Sequence, residues 1–88
     1  MSRVEPARLA DLDDVLGQVR SWQGIDDRGG GTFYLRRKPF LHFHVSRDRR
    51  RADVRGEDGW REIELPEPAS GQLKGELLAV LRAEYAVR

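Results

Sequence analysis

The sequence predicts an α+β domain: an N-terminal helix, a four-stranded antiparallel meander and a C-terminal helix, with both helices on one face of the sheet. Three observations predict it. Apolar residues recur at three-and-four spacing near both ends of the chain, the signature of one buried helical face. The middle of the chain alternates apolar and polar residues with the period of two that a strand requires. The turns between the alternating runs are spaced so that every apolar member falls on the same side of the sheet.

The N-terminal helix is predicted over residues 6–22. Leu9, Leu12, Val15, Leu16, Val19 and Trp22 line one face, and Pro6 suits the first helical turn, where its missing N–H costs nothing. Asp11, Asp13 and Asp14 fall on the solvated side. Gly17 weakens the helix by about 1 kcal/mol relative to Ala, or permits close packing on the sheet. Residues 24–31 read as a flexible loop ending in Gly29-Gly30-Gly31. These glycines follow a helix and precede a strand, the reverse of a phosphate-binding glycine loop.

Four strands follow, at about 32–36, 40–46, 51–55 and 60–65. Phe33 and Leu35 point inward on the first, and Arg37-Lys38-Pro39 turns the chain. The second, Phe40-Leu41-His42-Phe43-His44-Val45, sets Leu41, Phe43 and Val45 inward and Phe40, His42 and His44 outward. Arg47–Arg50 forms the next turn, before a strand with Ala52 and Val54 inward. Gly56-Glu57-Asp58-Gly59 is a strong hairpin signal, and Ile63 and Leu65 face inward on the last strand. Closing these turns tightly pairs Phe33 with Phe43, Leu35 with Leu41, Phe43 with Val54, Val45 with Ala52, and Ala52 with Ile63. Ser70 is a good N-cap for a final helix over about 70–86, striped by Leu73, Leu77, Leu78, Leu81 and Tyr85.

Eighty-eight residues make a single domain, 39% hydrophobic and 35% charged. The apolar residues are periodic, which marks a folded chain rather than a disordered one. With no cysteine, disulfides, thiolate metal sites and cysteine nucleophiles are excluded. No apolar run approaches the roughly 20 residues of a membrane helix. The start, Met-Ser-Arg-Val-Glu-Pro, lacks an apolar signal core. The expectation is a cytoplasmic protein with no membrane partner. The net charge of +1 hides an uneven distribution: −3 over residues 1–27, +7 over 28–55 and −3 over 56–88. A nearly neutral chain with such a middle can present a locally positive surface.

The same register assembles an outward face. One row runs Tyr34, His42, Arg55, Trp60, a second His44, Asp53, Glu62, and a third Ser46, Arg51, Glu64. Three readings fit it. The rows are ordinary cross-strand pairs on a face left to solvent or used in a homodimer. Alternatively, Tyr34, Phe40 and Trp60 stack bases while Arg36, Arg37, Lys38, Arg47, Arg49, Arg50, Arg51 and Arg55 hold phosphates. Against this, Asp53, Glu62 and Glu64 share the face and repel phosphate. In the third reading, His42, His44, Asp53 and Glu62 bind a divalent metal, which would relieve the opposition of the Asp53 and Glu62 carboxylates. Arg51, Arg55 or a protonated His44 would relieve it equally. No catalytic constellation is evident. Ser2, Ser21 and Ser46 are the serine hydroxyls to consider, without an orienting group or oxyanion donors.

Thr32-Phe33-Tyr34-Leu35-Arg36-Arg37-Lys38-Pro39-Phe40 resembles the F-x-V-x-G-K-x-F strand pair of the MmcQ/YjbR-like proteins. Gly59-Trp60-Arg61-Glu62-Ile63-Glu64-Leu65, with Glu76-Leu77-Leu78 to Glu84-Tyr85, is similar to their W-x-x-V-x-L strand and closing helix. The chain departs from the family in two places: Arg37 stands for the glycine before the lysine, and a four-residue turn replaces the Pro-Tyr-rich segment before the tryptophan. The resemblance implies a small cytosolic protein for which the fold suggests DNA binding, and it carries over no catalytic residue. The sequence therefore predicts a non-catalytic binding domain without a cofactor. Nucleic acid is its first partner. A protein partner or homodimerisation through the aromatic face is the alternative, and a metal at the His-x-His strand a second one.

Overall fold

The computed structural model describes residues 3–88; Met1 and Ser2, the latter one of the serine hydroxyls considered from sequence, lie outside the described residues. The chain runs through a 3-10 helix at Pro6–Leu12 and α1 at Asp13–Arg20. Five strands follow: β1 at Ile25–Asp27, β2 at Thr32–Leu35, β3 at Lys38–Ser46, β4 at Arg49–Gly56 and β5 at Gly59–Glu64. Helix α2 at Gly71–Ala86 closes it. The strands form one antiparallel sheet in sequence order. The α+β class and the meander are as predicted, but the sheet has five strands rather than four.

The added strand lies where the sequence predicts a loop. Ile25, Asp26 and Asp27 pair with Leu35, Tyr34 and Phe33, and three residues are too few to show alternation. The glycines that follow form a fixed corner rather than a flexible link. Gly29, Gly30 and Gly31 have φ of +78°, +63° and +79°, conformations that glycine adopts without penalty. The Gly31 carbonyl accepts the Phe43 N–H at 2.8 Å, and the Gly30 carbonyl accepts that of Val4 at 3.0 Å.

Two hairpins are tighter than the sequence suggests. Arg36 and Arg37 (φ 50° and 73°) connect β2 to β3, and Arg47 and Asp48 (φ 54° and 60°) connect β3 to β4. Positive φ at both central residues is the type I′ form, whose twist matches that of the strands it joins. The predicted turns, Arg37–Pro39 and Arg47–Arg50, instead lend residues to the strands. As a result β4 sits two residues along β3 from its predicted place: Leu41 faces Val54, Phe43 faces Ala52 and His42 faces Asp53. An even slip keeps every side chain on its own face. The β4–β5 register, with Ala52 opposite Ile63 and Arg55 opposite Trp60, is as predicted.

Phe40 is a correction. Phe33 pairs with Leu41 and Tyr34 with Pro39, which leaves Phe40 as the extra residue of a β-bulge. The bulge turns Phe40 inward beside Leu41, and both are fully buried. It is core, not a stacking platform on the open face.

The predicted N-terminal helix divides into a 3-10 segment and a short α-helix, and Trp22 lies beyond its end. A buried guanidinium accounts for the division. Arg50 Nη1 donates to the Arg8 carbonyl at 2.7 Å, the group that an α-helix would offer to the Leu12 N–H. Val15, Leu16 and Val19 of α1 and Leu77 and Leu81 of α2 join Phe33, Leu35, Phe40, Leu41, Phe43, Ala52 and Val54 in one core. The Ser70 hydroxyl caps α2 by accepting the Leu73 N–H at 3.1 Å. Across the helical layer the Trp22 and Tyr85 rings lie 5.0 Å apart. A Cβ at Gly17 would meet nothing within 4 Å, so that glycine serves no close packing on the sheet. Among the described residues no helix is long and apolar enough to cross a membrane.

Candidate functional site

With both helices on one side, the other side of the sheet is left bare, and the alternation of β2 to β5 decides what stands there. The register gives a row of Thr32, His42, Asp53 and Glu62 and a second of His44, Arg51 and Glu64. Tyr34 stands beside Asp26 and Pro39, and Arg55 beside Trp60.

Asp53 is the centre of this face. It is buried, at 8% exposure, and both of its oxygens are engaged. His44 Nε2 lies 3.1 Å from Oδ2, and Arg51 Nε donates to Oδ1 at 3.1 Å. The His42 and His44 rings are 4.1 Å apart. Burial, and then the neighbouring His42, push the His44 imidazole below its ordinary pKa, against the opposing pull of Asp53. His42 Nε2 is shielded from solvent and has no hydrogen-bond partner among the described residues. His42, His44, Asp53, Trp60 and Glu62 together line a shallow depression of about 310 Å³. Trp60 is 45% exposed, with the Arg55 guanidinium 5.7 Å from its ring. Arg28 lies 3.7 Å from the Tyr34 ring and pairs with Asp26 at 3.0 Å.

The four metal-ligand candidates thus meet on one face. Among the described residues, however, no group of three or more His, Asp or Glu side chains is arranged to hold a metal ion. The physical reason lies at Asp53. It does stand opposite Glu62, but the positive charge beside it is the Arg51 guanidinium.

The basic residues scatter. Arg36, Arg37 and Lys38 cluster at one end of β3 and Arg47 and Arg49 at the other, nine residues of strand apart, roughly 30 Å at 3.3 Å per residue. Arg49 pairs with Glu64 at 2.6 Å, both well exposed, and Arg36 reaches the Tyr85 ring at 5.7 Å. Arg28, Arg49, Arg50 and Arg51, four of the nine basic residues of the positive segment, are neutralised by acids of the same chain.

Arg50 is the second correction. It is 3% exposed and points away from the open face. All five of its N–H donors are used: Nε on the Leu65 carbonyl, Nη1 on the Arg8 carbonyl and Asp11 Oδ1, Nη2 on Asp11 Oδ2 and the Pro66 carbonyl. It holds the 3-10 segment and the β5–α2 connection to the sheet and has nothing left to offer phosphate. Asp11 is the partner that sequence reasoning placed on the solvated side; its Oδ2 also accepts the Ala69 N–H at 2.7 Å. The Arg50 hydrogen bonds hold its carboxyl at a pKa of about 2. One signal was available in the sequence: Arg50 shares the inward parity of Ala52 and Val54.

No family model, no curated protein and no solved structure matches this chain.

Proposed function

We propose that this protein is a non-catalytic interaction module whose contact surface is the open sheet face, and that it binds protein rather than a phosphate polymer. The observation that carries this reading is the composition of that face. Arg28, Arg51 and Arg55 share it with Asp26, Asp53, Glu62 and Glu64, around the exposed Trp60. A polyanion would meet four carboxylates there. A mixed, nearly balanced surface around an aromatic anchor is instead the composition of a protein contact.

A second copy of the chain is the simplest partner, because a face whose own charges nearly cancel does not repel itself. Sedimentation equilibrium over a wide concentration range tests this. Wild type should show a monomer–dimer equilibrium that Trp60→Glu shifts to monomer. A wild-type monomer at every concentration would remove the second copy as partner. Nucleic acid remains the second reading, favoured by one feature: Arg36, Arg37 and Lys38 crowd one hairpin tip and make no ion pair among the described residues. Oligonucleotide affinity that falls steeply with salt and is lost in Arg36→Ala/Arg37→Ala would restore it.

A further inference from the structure

A second surface lies at the edge of the sheet; it shares Trp60, Glu62 and Glu64 with the open face and adds backbone and groove atoms of its own. Among the described residues β5 has a neighbour on one side only, and six residues make it the longer of the two edges, since β1 has three. The direction of its backbone groups follows from one bond. The Leu65 N–H donates to the Arg50 carbonyl at 2.8 Å, and hydrogen-bonded pairs alternate along an antiparallel ladder. The bonded pairs are therefore Arg50/Leu65, Ala52/Ile63 and Val54/Arg61. The N–H and C=O groups of Trp60, Glu62 and Glu64 point outward, away from β4.

Beside that edge, on the helical side of the sheet, is a groove of about 430 Å³ lined by Arg61, Glu62, Ile63, Glu76, Ala79 and Val80. Its floor is apolar, with Ile63 and Val80 half-buried and Ala79 exposed. The ionised side chains of β5 and the groove are Glu62, Glu64 and Glu76 against Arg61, with Glu64 also paired to Arg49 at 2.6 Å.

We propose that β5 accepts an added strand from a protein partner, an extended segment that alternates apolar and basic residues. Its residues opposite Arg61 and Ile63 project to the helical side and fill the groove with apolar side chains. Those opposite Trp60, Glu62 and Glu64 project to the open face and set Lys or Arg against the carboxylates. The same charges exclude a second copy of β5. Two-fold antiparallel pairing keeps like faces together, so it must centre on Arg61, Glu62 or Ile63. These registers place Arg61 opposite Arg61, Glu62 opposite Glu62, or Glu62 opposite Glu64. Every one opposes like charges, as protected edges do.

The test is amide hydrogen exchange by NMR on the full chain, with the peptide acetyl-Lys-Val-Lys-Val-Lys-Val-Lys-amide and its Glu-Val counterpart as probes. The Lys-Val peptide at millimolar concentration should slow exchange at Trp60, Glu62 and Glu64 at least tenfold, and the Glu-Val peptide should not. Glu62→Pro removes an outward N–H without breaking a ladder bond, so it should abolish the protection. Ala79→Arg, on the exposed side of α2, should weaken the Lys-Val peptide at least tenfold without touching the strand. The proposal is overturned by unchanged exchange at the three amides, by equal protection from the Glu-Val peptide, by protection that survives both substitutions, or by a wild-type dimer that protects these amides without peptide.

Discussion

The Arg50 guanidinium and the Asp11 carboxylate meet fork to fork, Nη1 to Oδ1 at 2.7 Å and Nη2 to Oδ2 at 2.9 Å, with the Arg50 side chain wholly buried. A bidentate pair of this kind fixes direction as well as distance. Here it ties the first helical segment to the fourth strand, and the remaining Arg50 donors reach the chain just after β5. Breaking one side of such a pair leaves an uncompensated buried charge, at a cost of about 3–5 kcal/mol. Arg50→Ala and Asp11→Asn should each lower stability by about that much in urea unfolding. Arg49→Ala, which breaks an exposed pair with Glu64, should cost less than about 1 kcal/mol. Equal effects at positions 49 and 50 would refute the structural role assigned to Arg50.

The same pair makes the fold acid-sensitive. The Asp11 carboxyl titrates at about 2 in the folded protein, against 3.8 for the ordinary group. A depressed carboxyl pKa contributes stability that is complete above the unfolded value and is lost as pH falls through the folded one. The contribution, about 2 kcal/mol by linkage, should therefore disappear between about pH 4 and pH 2. Urea midpoints measured across that window should fall steeply for wild type. In Asp11→Asn, already destabilised, the part of the slope due to this group should be absent.

The two arginine-bearing hairpins carry a cost that substitution can remove. Left-handed backbone costs a residue with a Cβ about 1–2 kcal/mol, and Arg36, Arg37, Arg47 and Asp48 all adopt it. Glycine takes that conformation without penalty. Arg37→Gly and Asp48→Gly should each raise the melting temperature, corresponding to about 1 kcal/mol after the entropic cost of glycine in the unfolded chain. Calorimetry of the two single variants and the double checks this. The sites lie at opposite ends of β3, so their effects should add.

How much of this was legible before the structure follows from the same residues. Alternation was enough to place Leu41, Phe43, Ala52 and Val54 in the core and Ile63 against it, because burial of one face tolerates no odd slip. It was not enough to place β4 along β3. A two-residue slip leaves every side chain on its face, and only the backbone conformation of Arg47 and Asp48 decides between the two registers. A sequence turn rule that looks for Asn-Gly at primed turns passes over Arg-Arg and Arg-Asp. Phe40 was misplaced for a related reason: strict alternation has no room for a bulge, and one extra residue moved it from the open face to the core. The candidate site was legible as a set of residues and not as a set of contacts. His42, His44, Asp53, Glu62 and Trp60 do share one face, yet His42 rather than His44 stands opposite Asp53. The positive middle segment was visible in composition, but its neutralisation by Asp11, Asp26, Asp53 and Glu64 depends on contacts up to 39 residues apart in sequence.

Glycine to alanine should have opposite signs at two positions, and the contrast separates a helix effect from a corner effect. Gly17 lies in α1, its added Cβ would meet nothing within 4 Å, and no left-handed backbone is involved. Alanine there gains helix propensity and should stabilise the fold by about 1 kcal/mol. At Gly31 the φ is +79° and a Cβ would lie 3.1 Å from the Phe43 Cβ, with Val4 and Leu9 at 3.5 Å. Phe43 is fully buried and its N–H is bonded to the Gly31 carbonyl, so the strand cannot withdraw without losing core contact or that bond. Strain and displacement together should cost Gly31→Ala at least about 2 kcal/mol. Paired urea unfolding of Gly17→Ala and Gly31→Ala measures both. Stabilisation at Gly31 would mean that the corner is pliable and that three successive left-handed glycines are not needed to aim β2 along β3.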